Sequence, residues 1–273
     1  MTLKAIGMAC VLLCPCVSAA AQSVSTLMGA RGKGMGNSTS CLPDEWSLFN
    51  NPGGLASIKG AGAATAYDKT PALPGSDRMA AVAFIQFMNG TLSAGVFRFG
   101  DALYNEQVLT AGFGNRFGLA SLGAKVNLIQ YNAEGFGTRS VVSVSFGGIA
   151  ELTPAVKVGA HIINVNQPVV SHDNNERLPT VLTAGMAVIP DESLIVTAEV
   201  AKDLDYKPTW KAGIEYKPLK KVSFRSGFNL IPSAAFFGVG FRSDKLVIDY
   251  ALEYAVIRGT CHQVSAIYSI RKK

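Results

Sequence analysis

The chain has 273 residues, 28 of them glycine, with 48% hydrophobic and only 16% charged residues and a formal net charge of +6. Apart from the tail Arg271-Lys272-Lys273, its basic residues are scattered and partnered by acids, which excludes the concentrated basic face of a nucleic-acid binder. Mean hydropathy is positive, yet beyond residue 21 there is no uninterrupted apolar run of about 18 residues, which excludes a helical membrane protein.

Residues 1–21 are predicted to be a signal peptide. Lys4 is the positive start, residues 5–17 are mostly apolar, and Ala19-Ala20-Ala21 supplies small residues before cleavage at Gln22. Cys14 and Cys16 raise a lipoprotein site, but Leu13 and Pro15 stand where such a site needs a small residue. An exported, Gly-rich, moderately apolar chain without a helical span has the composition of a transmembrane β-barrel. Lipid offers backbone groups no water, so only helices and closed barrels cross it. Periodicity alone leaves a soluble β-sandwich open as the alternative.

Residues 22–58 precede the first strand. Within them "DEWSLFNNPGGLA", residues 44–56, is predicted to form a short amphipathic helix over 44–49 that ends at the rigid corner Asn50-Asn51-Pro52-Gly53-Gly54. Fourteen strands follow, near 60–68, 79–88, 91–99, 106–116, 118–131, 138–150, 155–165, 178–189, 193–202, 207–217, 221–230, 234–242, 245–255 and 260–270. Each is about ten residues, the length a tilted strand needs to cross a bilayer. Asn89-Gly90, Pro190-Asp191, Pro218-Leu219-Lys220 and Ser243-Asp244 supply turns between them. An even count returns both chain ends to one side.

The alternation is clearest in the second half of the chain. Trp210, Ala212, Ile214 and Tyr216 share one face, and Lys211, Gly213, Glu215 and Lys217 the other. Val222, Phe224 and Phe228 oppose Ser223, Arg225 and Asn229, while Leu246, Ile248, Tyr250, Leu252 and Tyr254 oppose Asp249 and Glu253. Apolar residues toward lipid and polar residues toward a lumen fit this pattern. The polar face carries both signs in Glu199, Lys211, Glu215, Arg225, Arg242, Asp249 and Glu253. Buried charges are costly unless paired. Cross-strand ion pairs filling a narrow or plugged lumen are therefore expected, rather than the segregated charges of a wide pore.

Catalytic and metal motifs are sparse. No G-x-S-x-G elbow occurs, and "GARGKGMG" follows no strand and matches neither phosphate-loop pattern. His161, His172 and His262 are far apart in sequence. The loop at 171–177, with His172, Asp173 and Glu176, could take a cation, though solvated loops of this composition are common. No enzyme activity, cofactor or metal is expected.

"GARGKGMGNSTSCLPDEWSLFNNPGGLA", residues 29–56, resembles the N-terminal signature of the PorV/PorQ family through Ala30-Arg31, Met35-Gly36, Asp44 and Asn51-Pro52-Gly53-Gly54-Leu55-Ala56. "GTCHQVSAIYSI", residues 259–270, is similar to that family's closing strand through His262, Val264 and Ser265; residues 178–188 and 211–229 look like its middle strands. The family is related to the FadL long-chain fatty-acid channels. The resemblance implies a fourteen-stranded barrel in the outer membrane of a Bacteroidetes-type Gram-negative bacterium, with the N-terminal segment tucked inside as a hatch. Trp46, Leu48 and Phe49 would then pack on the inner wall. It further implies a non-enzymatic partner or shuttle in type IX protein secretion, contacting the translocon, secreted cargo and outer-membrane lipid. The alternative is a FadL-like channel for a hydrophobic small molecule, which needs an apolar lumen pocket and an opening in the wall. Gly53 stands where the family usually has Ala, the chain is shorter than secretion-system members, and no terminal Phe closes the last strand.

Two cysteines survive signal cleavage. Cys41 falls in the N-terminal segment, and Cys261 shares parity with the lumen-side residues Gln263 and Ser265. An exported compartment permits a disulfide. A bridge pinning the hatch to the last strand and a pair of buried free thiols are both open readings.

Overall fold

A computed structural model describes residues 24–135, 137–171 and 176–270. The segment expected to be a signal peptide, the basic tail and most of the loop around His172 lie outside the described residues. No described helix is long and apolar enough to cross a membrane.

The strands close into one antiparallel ring of fourteen. They are β1 (Ala61–Lys69), β2 (Arg78–Phe87), β3 (Gly90–Gly100), β4 (Tyr104–Phe117), β5 (Ala120–Ala133), β6 (Gly137–Thr153), β7 (Val156–Ile163), β10 (Val181–Asp191), β11 (Leu194–Asp203), β12 (Thr209–Leu219), β13 (Val222–Asn229), β14 (Ala234–Arg242), β15 (Leu246–Ala255) and β16 (Gly259–Ile270). Each pairs with its neighbour in sequence, and β1 closes on β16 with Ala61 opposite Ile270. Two short strands, β8 (Val169–Ser171) and β9 (Glu176–Arg177), make a separate ribbon in the connection from β7 to β10.

The two rims differ. On the rim that carries the chain ends, the turns are 88–89, 118–119, 154–155, 192–193, 220–221 and 243–245. Two-residue hairpin turns want left-handed backbone, and Met88 (φ 53°) and Gly118 (φ 59°) adopt it. The opposite rim bears the longer connections 70–77 and 164–180.

Alternation sorts the faces. Trp210, Ile214, Tyr216, Phe224, Phe228, Ile248 and Tyr254 are exposed on the outer wall, while Glu199, Glu215, Arg225, Asp249 and Glu253 are buried within. An exposed apolar exterior around a buried charged interior reverses the sorting of a soluble sandwich, and fits lipid outside.

Residues 24–60 run through the interior. A five-residue helix, α1 (Ala30–Gly34), lies against β13, β14, β15 and β16, and a 3-10 turn (Pro52–Ser57) lies against β3, β4, β5 and β6. The sequence placed a helix at 44–49. Those residues instead make successive turns, closed by Ser47 N–H donating to the Asp44 carbonyl and Phe49 and Asn50 N–H donating to Trp46. The physical reason is local competition. The Ser47 hydroxyl accepts from the Asp44 N–H and the Asp44 carboxylate accepts from the Trp46 N–H, which satisfies the backbone without a helical ladder.

Candidate functional site

The lumen has two unlike halves. Toward β11–β16 the wall is charged and grips α1. Arg31 Nε donates to Glu215 at 2.7 Å, and its Nη1 reaches Asp44 at 3.4 Å. Fully buried Glu215 also accepts Arg225 Nε at 2.8 Å and pairs with Lys217 at 2.9 Å. Arg225 Nη1 continues to Asp249 at 2.7 Å. Two residues further along α1, buried Lys33 lies 2.9 Å from Asp68 and 3.2 Å from Glu253. Asp68 also takes Arg78, and Glu253 takes Arg258 at 2.5 Å. Glu199 pairs with Lys211, directly across the ladder, at 2.9 Å and accepts the Ser40 N–H at 2.8 Å. Every carboxylate named here has at least one cationic partner, which makes charge tolerable inside a barrel. Burial outweighs Arg31 at Asp44 and pushes that carboxyl up to about 6.

Toward β2–β5 the wall is apolar. Trp46, Leu48, Phe49 and Leu55 from the N-terminal segment pack on Val82, Phe84, Phe97, Val108 and Ile129. Phe49 lies 6.3 Å from Trp46 and 6.4 Å from Phe97, ring to ring. Burying one such side chain contributes about 1.5–3 kcal/mol.

Asn51 holds the corner. Its side-chain oxygen accepts the Gly53 N–H at 3.0 Å as the cap of the 3-10 turn, and its amide donates to the Ser40 carbonyl at 2.6 Å and the Gly148 carbonyl at 3.2 Å. Pro52 follows at the first helical position, where a missing N–H costs nothing.

Glycines let the segment press on the wall. A Cβ on Gly53 would sit 2.5 Å from Gly148 Cα, one on Gly36 2.7 Å from the Ala212 carbonyl, and one on Gly213 2.7 Å from Met35 Cβ. Gly36 has a φ of 68°, which disfavours other residues. Gly54 is likewise crowded, by Ser47. Glycine inside a strand marks close approach of another backbone, and here the approach repeats on β4, β5, β6, β7, β12, β13 and β14.

Between these halves lies a cavity of about 240 Å³. Val24, Leu27, Phe49, Val108, Ile129 and Val181 give it apolar walls; Lys125, Asn127, Ser145, His161, Asn164 and Thr183 give polar ones, with Asp203 and the Glu199–Lys211 pair also on its lining. Its side wall is the place where the ladder is incomplete. β6 pairs with β7 only from Phe146 to Thr153, while residues 137–145 of β6 pair with β5 alone. The loop after β7 covers that edge: Val165 N–H donates to the Val144 carbonyl, and the Asn166 side chain bonds both Val144 and Val142. A larger depression of about 760 Å³, with Tyr67, Met79, Val96, Leu109, Leu128 and Val264 around it, lies on the outer face of the wall.

Arg31, Asp44, Glu199, Lys211, Glu215, Arg225, Asp249 and Glu253 are thus gathered in the lumen, with Gly36, Trp46, Phe49, Asn51, Pro52, Gly53 and Gly54 against its wall. Arg242 is not. It keeps the inward parity of β14 but ends the strand, and its side chain is exposed at the rim. The disulfide must also be corrected. Cys41 and Cys261 are both free and buried. Cys41 lies against Gly159 on β7, and Cys261 is on β16, seven strands away round a ring of fourteen. A bridge needs Cα atoms within about 7 Å, and opposite walls cannot supply that. Burial pushes the Cys41 thiol up to about 11, so it stays protonated; the Cys261 thiol donates to Asp68 and lies 2.9 Å from Lys33.

Lys33, Asp68, Lys125 and His161 were not singled out from sequence. Asp68 and Lys125 had a usable signal, since each alternates with outward neighbours: Tyr67 beside Asp68, and Val126 and Leu128 following Lys125.

This ring, filled by its own N-terminal segment, has the fold of solved hydrocarbon-channel barrels. Neither a protein-family profile nor a curated relative matches the sequence. Solved structures do. The toluene transporter TodX of P. putida superposes with a TM-score of 0.68 at 14% identity, covering 92% of this chain and 100% of that one. The monoaromatic hydrocarbon channel CymD gives 0.71 at 12% identity, covering 91% and 99%. The Ralstonia pickettii toluene transporter TbuX gives 0.66 at 14%, covering 90% and 99%. At these identities the likeness is one of fold. All three are transporters or channels rather than enzymes, and they give no support to the PorV/PorQ assignment or to a partnership in type IX secretion.

Proposed function

We propose that the chain is an outer-membrane channel for small, largely apolar molecules, with residues 24–60 as the hatch that closes its lumen. The observation that carries this reading is the cavity itself. It is bounded by the apolar wall of Val108 and Ile129, capped by Phe49, and lies behind the stretch of β6 that pairs with β5 but not with β7. An apolar pocket and a weak place in the wall are what passage of a hydrophobic molecule requires. The ion pairs of the charged half act as fasteners for the hatch in this account. A molecule would enter from the rim with the long connections, rest beside Phe49 and leave where loop 164–166 covers the edge of β6. The secretion-partner reading rests on the N-terminal motif and the weaker strand matches at 178–188, 211–229 and 259–270, and no feature of the lumen favours it.

The test is uptake of radiolabelled toluene by intact cells of a Gram-negative host with and without the chain. Several-fold faster uptake with the barrel present is expected. Equal uptake, with the protein shown to be folded in the outer membrane, would overturn the reading.

A further inference from the structure

The cavity contains an ammonium that the protein itself does not neutralise. Lys125 is 3% exposed, deep in the lumen, and its Nζ donates to the Phe49 carbonyl at 3.1 Å. No carboxylate comes within ion-pair distance of it among the described residues. The other lumen cations are paired: Lys33, Arg31 and Arg225 each face one or two carboxylates, and Lys211, which lines this same cavity, is held by Glu199. Buried ammonium groups are retained only with partners. One neutral carbonyl uses one of three donors and supplies no charge.

A second group points the same way. His161, on β7 across the cavity, is 7% exposed, and its Nδ1 is buried without a hydrogen-bond partner. Lys125 and His161 line the same space with Asn127, Ser145 and Thr183. The opposite side of that space is the apolar wall of Val108 and Ile129 beneath Phe49. The arrangement is amphipathic: a polar side that holds Lys125 and His161 beside the Glu199–Lys211 pair and Asp203, and hydrocarbon on the other.

We propose that this cavity is a binding site for a small carboxylate with a compact apolar body, a single aromatic ring or a short chain, whose carboxylate pairs with Lys125 and accepts from His161. Size sets the limit. An apolar cavity of roughly 150 Å³ holds one benzene ring, so about 240 Å³ holds a ring with its carboxylate and leaves no room for a long chain. The site deepens the channel reading by naming a ligand class for the same cavity, and it rests on that reading only for its route of access.

Binding is therefore measured apart from transport. Detergent-purified full-length barrel, with its folded state verified by heat-modifiable gel mobility, is dialysed to equilibrium against radiolabelled benzoate or, as the neutral isostere, benzyl alcohol. Saturable benzoate binding at least ten-fold tighter than benzyl alcohol is expected. K125M should lower benzoate affinity at least thirty-fold, K125R should retain most of it, and H161Q should lose several-fold. Should K125M fail to fold, the contrast between K125R and H161Q carries the same test. Equal binding of the two probes, an unchanged affinity in H161Q and K125M, or displacement of benzoate by equimolar chloride would overturn the site. Benzoate binding without toluene uptake in cells would leave the site standing and remove the channel; toluene uptake without benzoate binding would do the reverse.

Discussion

The two halves of the lumen hold the N-terminal segment by different physics. Against β12–β16 and the adjoining β1, short charge-assisted bonds fix Arg31 and Lys33 of a five-residue helix. Against β2–β6, aromatic and aliphatic packing and glycine-to-glycine contact do so, with hydrogen bonds such as Asn51 to the Gly148 carbonyl but no ion pair. Ion pairs are specific in position and expensive to leave half-made. Apolar packing is tolerant and graded. The charged half sets where the segment sits, and the apolar half leaves the space beside it. The cavity lies between the two, with Phe49, Val108 and Ile129 on the packed side and the Glu199–Lys211 pair on the charged side.

The comparison is broken most severely at Glu215, which serves Arg31, Arg225 and Lys217 at once. Glu215→Leu should cost about 3–5 kcal/mol, as removal of one member of a buried pair does. Urea unfolding of the barrel in lipid vesicles reads it, and limited proteolysis should cut near residue 31 in the variant alone. A loss below about 1 kcal/mol would remove the charged half as the fastener. The residue before it tests the inside-outside assignment. Ile214, exposed at the middle of β12, should cost about 2–4 kcal/mol as Ile214→Arg in a bilayer, and much less in detergent. Equal stability of Ile214→Arg in vesicles would place that face away from lipid.

Smaller effects sharpen the contrast. Gly213→Val would push a side chain into Met35 and should cost about 1–3 kcal/mol of overpacking. Ion current through the reconstituted barrel should rise as the segment is displaced; unchanged current and stability would mean the contact is slack. Arg242→Ala, at the exposed end of β14, should change unfolding by less than about 0.5 kcal/mol. A larger loss would tie it to the lumen charges after all.

Much of this was legible from residues. Fourteen strands follow from two-residue periodicity, and Glu199–Lys211 and Glu215–Arg225 follow from parity plus hairpin register, because both pairs stand directly opposite. What parity cannot supply is position around the ring, and that is why Cys41 and Cys261, both inward, are on opposite walls. The helix Ala30–Gly34 was illegible for another reason. Its sequence ARGKG carries glycines that oppose helix formation by about 1 kcal/mol each; close seating on Gly238 and the pairs made by Arg31 and Lys33 overrule them. Lys125 and the apolar half were faint because β1–β5 carry Ala and Gly on both faces, which blurs alternation.

The account turns on the cavity being the route. Asn127, 8% exposed, lines it, and Asn127→Trp would fill it without touching any ion pair. The decisive measurement is toluene uptake by cells carrying the wild-type barrel or Asn127→Trp at equal outer-membrane levels, both heat-modifiable. The account predicts that the tryptophan variant falls to the rate of cells lacking the barrel. Undiminished uptake through the filled cavity would contradict it.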